Sequence, residues 1–132
     1  MTSQDFMRAA TQRLETAIFL FESKYTLDAT YLGGYCVECS LKALILYRCT
    51  PSRQSHVLQQ ITSGARMHQA EVLLDLLKGL CITLSVELAK RMRRFKWTTE
   101  LRYETGRLAT GETRAFLKTV QLIHTWVEEQ LT

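Results

Sequence analysis

The chain reads as an all-α protein, an up-and-down four-helix bundle with one additional short helix. Three observations carry that reading. Apolar residues recur at three- and four-residue spacing along most of the chain. No stretch alternates apolar and polar residues with β-branched enrichment, so no strand is predicted. The connections between periodic stretches are mostly short, which favours antiparallel helical neighbours. At 132 residues, 46% hydrophobic and 23% charged, the chain forms one domain, residues 1–132, around a single core.

Phe6, Ala10, Leu14, Ala17, Ile18 and Phe21 place a first amphipathic helix over residues 4–24, with Ser3 as candidate N-cap. A second helix is predicted from Leu27 to Cys49. Thr26 is its candidate cap, Asp28 sits in its first turn, and Pro51 prevents its continuation. Residues 50–66 read as a loop with one short helical turn around Val57–Ile61. Val72, Leu73, Leu76 and Leu77 define a third helix from His68 to Leu80, closed by Gly79. Thr83 is the candidate cap of a fourth, from Leu84 to about Trp97. Residues 98–110 look irregular. Thr110 is the candidate cap of a last helix from Gly111 to Leu131, with Phe116, Val120, Ile123, Val127 and Leu131 on one face.

The second helix is unusual. Its run Tyr31-Leu32-Gly33-Gly34-Tyr35-Cys36-Val37-Glu38-Cys39-Ser40-Leu41-Lys42-Ala43-Leu44 is apolar on most faces, which predicts a position inside the core. Two consecutive glycines cost a helix roughly 1 kcal/mol each relative to alanine, so close approach of another backbone is expected there. Glu38 and Lys42 are spaced i,i+4 with the acid first, the favourable order for a helical ion pair. They form either a solvated pair on an exposed stripe or a partly buried pair lining a groove.

The net charge is +4, unevenly placed. Residues 51–110 carry ten basic and five acidic side chains, whereas basic and acidic groups balance in residues 1–50. The densest feature is Lys90-Arg91-Met92-Arg93-Arg94-Phe95-Lys96-Trp97. Such a run neutralises phosphates, and Phe95 or Trp97 offers a stacking surface for a base; alternatively it is a solvated face whose Met92 and Phe95 are core. Arg102 and Tyr103 follow. Arg102 is a candidate partner for Glu38 or for a phosphate, while Trp97 and Tyr103 alternatively plug the bundle end.

The cysteines are Cys36, Cys39, Cys49 and Cys81. A single C-x-x-C inside a helix lacks two further zinc ligands and the βαβ context of a redox motif. Buried, reduced thiols are therefore expected, with no metal and no cofactor. No apolar run reaches the roughly 18 residues of a membrane span, and the N-terminus lacks a basic-then-apolar leader. A cytoplasmic protein without membrane contact is expected.

The Tyr31–Leu44 run resembles the second helix of HEPN-domain proteins. His68, the Trp97–Tyr103 stretch and the terminal Trp126-Val127-Glu128-Glu129 stand in the order and at the distances of that family's pattern, although the Asp-Leu pair that often follows the histidine is absent. The resemblance implies a helical bundle that dimerises or associates with a nucleotidyltransferase-type partner, in a toxin–antitoxin, stress or defence setting. It also implies RNA or nucleotide as ligand. The family's RNases use an Arg-x(4–6)-His motif. None is present here, and the nearest approach, Arg48 with His56, has seven intervening residues including Pro51. Two expectations follow. The first is a non-catalytic nucleotide/RNA-binding or partner-binding module using Glu38, Lys42, Arg91, Arg93, Arg94, Trp97, Arg102 and Tyr103. The alternative is a metal-independent RNase with a divergent site, for which His68 is the candidate catalytic residue. His56 lies in a loop, and His124 reads as a packing residue.

Overall fold

A computed structural model describes residues 1–95 and 97–132. Among these there are six α-helices and no strand: α1 Ser3–Glu22, α2 Thr26–Arg48, α3 Gln54–Ile61, α4 Ala70–Gly79, α5 Val86–Arg93 and α6 Thr110–Gln130. Single 3₁₀ turns occupy Pro51–Arg53, Ala65–His68 and Thr99–Tyr103. The all-α prediction holds.

α2 is the axis of the molecule. It packs most extensively on α1, then on α6 and α4, while α5 lies on α6. Sixteen of its residues are buried, because a helix apolar on every side is stable only with neighbours on every side. α1 runs antiparallel to it: the Ser3 hydroxyl at the start of α1 donates to the Ala43 carbonyl near the end of α2, at 2.7 Å. α2 and α6 run parallel. Thr26 meets Leu108 at one end, and Arg48 meets Gln130 at the other. The main core gathers Phe6, Val37, Leu41, Leu44, Ile61, Leu73, Leu77, Phe116, Val120 and Ile123.

Several boundaries differ from the sequence reading, each for a local reason. Thr2, not Ser3, caps α1: its hydroxyl accepts from Asp5 N while the Asp5 carboxylate accepts from Thr2 N, a capping box. Thr26 does not cap α2; its hydroxyl bonds the backbone of Leu108 instead. The predicted short turn in residues 50–66 is a full helix, α3, with Val57 and Ile61 buried. α4 begins at Ala70 rather than His68, because Gln69 is extended and the preceding residues form a 3₁₀ turn. Gly79 lies within α4; the left-handed residue that turns the chain is Cys81, at φ 63°. Ser85, not Thr83, caps α5 by accepting from Leu88 N. α5 ends at Arg93, short of Trp97. Thr110 is the first residue of α6 and makes no cap bond.

Candidate functional site

A cleft of about 560 Å³ opens over α2 between α4 and α5. Its floor is apolar, built from Val37, Leu74, Met92, Phe95 and Phe116, with Trp97 at one end. Glu38 and His68 line it as well. Its walls differ in charge: α4 contributes Glu71 and Asp75, one turn apart, and α5 contributes Arg93.

The local geometry follows from α2. Tyr31, Gly34, Tyr35, Glu38 and Lys42 fall on one stripe at three- and four-residue steps. Gly34 leaves space that the Trp97 indole fills; a Cβ built there would stand 1.9 Å from the ring. Gly33 serves a second contact, with Phe116 and Leu117 of α6 at 3.0–3.2 Å from a built Cβ. The glycine pair therefore admits side chains, an indole above all, rather than another backbone. Trp97 Nε1 donates to the carbonyls of Thr30 and Tyr31, both at 3.1 Å. Tyr31 stacks on Trp97 at 6.2 Å, and Tyr35 meets it edge-on at 5.0 Å. Tyr31 O–H donates to Tyr35 Oη. Desolvation, then the contact with Tyr31, push the Tyr35 phenol up to about 12.

Beside this aromatic plug stands the polar centre. Glu38 and Lys42 are 7% and 4% exposed, which decides for the buried reading of the pair. Lys42 Nζ donates to Glu38 Oε2 at 2.9 Å, and His68 Nδ1 lies 2.9 Å from Glu38 Oε1. An ionised carboxylate only accepts, so the ring nitrogen facing it carries the hydrogen. Tyr35 packs edge-on against the imidazole at 6.5 Å. His68 is thus neither a helix cap nor a plain surface residue: Glu38, thirty residues earlier, orients it. Burial of both charges is tolerable because each finds a hydrogen-bonded partner.

The other predicted residues are placed as follows. Lys42 sits behind Glu38, inside the core. Arg93 is on the cleft wall, its Nε 3.7 Å from Glu71 Oε1. Arg91 pairs with Glu87 at 3.2 Å, and Arg94 is exposed beyond the end of α5. Lys96, part of the predicted basic run, lies outside the described residues. Phe95 packs on Phe116 at 4.9 Å. Arg102 does not pair with Glu38; its guanidinium lies 4.8 Å over the exposed Tyr103 ring. Tyr103 therefore does not plug the bundle end, whereas Trp97 fills its place on α2. His56 is exposed on α3, and His124 is buried against Thr11 at 2.9 Å, a packing residue as expected.

Sequence reasoning passes over Tyr35, Glu71 and Asp75. The i,i+4 spacing of the two acids just after His68 was the available signal. The thiols do not share the site. Burial pushes Cys36 up to about 12 and Cys39 up to about 11. All four cysteines are free, but only Cys36 is fully buried; Cys39 and Cys49 are partly buried and Cys81 is exposed. Among the described residues no cluster of three or more His, Cys, Asp or Glu side chains is arranged to hold a metal ion. Nor is any helix long and apolar enough to cross a membrane.

The model of the HEPN domain matches residues 3–130, nearly the whole chain. The protein belongs to the HEPN family. No curated protein and no solved structure matches it. In this HEPN chain the Tyr31–Leu44 stretch of α2 supplies both the seat of Trp97 and the Glu38–Lys42 pair, which explains why tyrosine, glycine, glutamate and lysine stand there at helical spacing.

Proposed function

We propose that this HEPN protein is a binding module for nucleotide or RNA, acting in a toxin–antitoxin, stress or defence setting. The observation that carries the reading is the cleft over α2, of small-molecule size, with Arg93 on its wall, Arg91 on α5 and Arg94 just beyond its end. Guanidinium groups suit phosphate oxygens. Calorimetry with ATP and with a short single-stranded RNA tests it. Binding is expected for the wild type, weakening steeply with salt. Replacing Arg91, Arg93 and Arg94 together with glutamate should abolish it while the helical circular dichroism is unchanged. Salt-independent binding, or binding that survives the triple change, refutes the reading.

One observation favours the second reading, a divergent metal-independent RNase. His68 is oriented by a buried carboxylate and lines the cleft, a placement that suits a general base. The absent Arg-x(4–6)-His motif keeps it second. Wild type and His68→Ala are to be compared on a structured RNA in EDTA. Little or no cleavage by either is the expected outcome. Robust cleavage that disappears in the variant would install the nuclease.

A further inference from the structure

We propose that α5 is a lid on the cleft over α2, latched to α4 by the Arg93–Glu71 ion pair and released as one unit while the rest of the bundle stays in place. The inference concerns access to the cleft and stands apart from what occupies it.

Burial separates α5 from every other helix. Each of the others buries at least two side chains: Leu73 and Leu77 in α4, and Val57 and Ile61 even in the equally short α3. None of the eight residues Val86–Arg93 is buried. Val86 stands exposed, and Leu88, Ala89 and Met92 are only half-buried. Segments with so little buried apolar surface open at low free energy. A helix of eight residues does not persist alone in water, so a released α5 also unwinds, and its amides report the release.

The chain is fixed on both sides of α5. Before it, Ile82 is buried in the core. After it, Phe95 packs on Phe116 at 4.9 Å, and Trp97 Nε1 bonds the carbonyls of Thr30 and Tyr31. These anchors confine the motion to the stretch between them. Across the cleft mouth, Arg93 Nε stands 3.7 Å from Glu71 Oε1, with both side chains largely exposed. An exposed pair of this kind contributes little to stability, which suits a latch and not a permanent bond. It draws the lid towards α4 and yields to salt. Beneath the lid lie Val37 and Leu74, apolar surface that its release uncovers.

Amide hydrogen exchange on the full chain, read by mass spectrometry at low salt, tests this. The amides of residues 88–93 should exchange together, about tenfold or more faster than those of the equally short α3. Glu71→Lys changes α4 and leaves the lid's own sequence intact. It should quicken exchange in α5 by about two- to fivefold, the scale of an exposed pair, with residues 73–79 and α6 protected as in the wild type. In roughly 1 M sodium chloride, where charges are screened beyond about 3 Å, wild type and Glu71→Gln should exchange alike in α5. Exchange of α5 as slow as that of α3 overturns the proposal. So does fast exchange that Glu71→Lys leaves unchanged, because α5 then frays by itself and the pair is no latch. Quickening that spreads equally through α4 and α6 overturns it as well, since α5 then opens only with the bundle.

Discussion

Gly34 and Trp97 occupy each other's space, and that exchange explains why a helix interior carries a residue that costs it propensity. Alanine at position 34 would return roughly 1 kcal/mol of helix propensity. It would also evict the indole, since its Cβ would stand 1.9 Å from the ring, and break both hydrogen bonds of Trp97 Nε1. Overpacking of this kind costs about 1–3 kcal/mol, and orphaned buried donors and acceptors add to it. Gly34→Ala should therefore be destabilised in urea, with Trp97 fluorescence shifted towards that of an exposed indole. A variant as stable as wild type, with unchanged fluorescence, would contradict the close contact. The buried pair behaves differently. Glu38→Ala leaves Lys42 4% exposed with its charge uncompensated, a loss of about 3–5 kcal/mol. Replacing both residues with leucine and methionine should recover most of that stability, because the desolvation cost of two ions disappears with their attraction. Failure of the double variant to recover would mean that the pair stabilises the fold outright.

The long helices α1 and α6 were legible in sequence because twenty or more residues of 3.6-residue periodicity average out local ambiguity, and α2 because its long run is apolar on most faces and ends before Pro51. The middle of the chain was not, since α3, α4 and α5 are eight to ten residues each and local turn geometry sets their ends. Even so, Ser85 and Thr83 are both chemically fit to cap α5, and only the observed acceptance from Leu88 N distinguishes them. At the site, the Glu38–Lys42 pair was readable from its spacing. Its bond to His68 was not, because the partner stands thirty residues away and only the fold brings it near. The same holds for Thr26, read as a cap but used as a clasp. Its hydroxyl accepts from Leu108 N and donates to Leu108 O, both at 2.9 Å. With Trp97 seated on Gly34, this pins the segment between α5 and α6 at two points. Arg102, Tyr103 and Arg107 stand exposed between them. Thr26→Val keeps the side-chain shape and deletes the clasp. Amide hydrogen exchange should then quicken across residues 98–109, with α1 and α6 protected as before. Uniform exchange in both proteins would show that the clasp is not what orders the segment.

For the molecule as a whole, α2 contributes to every layer, so chemistry that penalises α2 penalises the fold. Burial holds the Cys36 thiol at about 12 and Cys39 at about 11, against 9.0 for an unhindered thiol. The folded state therefore keeps these protons where the unfolded chain releases them. The sign follows from linkage: the neutral thiols cost nothing below about pH 9, and stability is lost as pH rises from 9 towards 12, where the unfolded state binds fewer protons. Tyrosines and lysines also ionise in that range, so the wild-type slope alone does not isolate the thiols. Cys36→Ala together with Cys39→Ala does. At pH 8 this double variant should be somewhat less stable, from the small volume removed. Between pH 9 and 11 its urea midpoint should fall less than that of wild type, so the two curves converge. Parallel curves across that interval would mean that the thiols titrate in the folded protein as they do in the unfolded chain, and that α2 admits more water than its burial indicates.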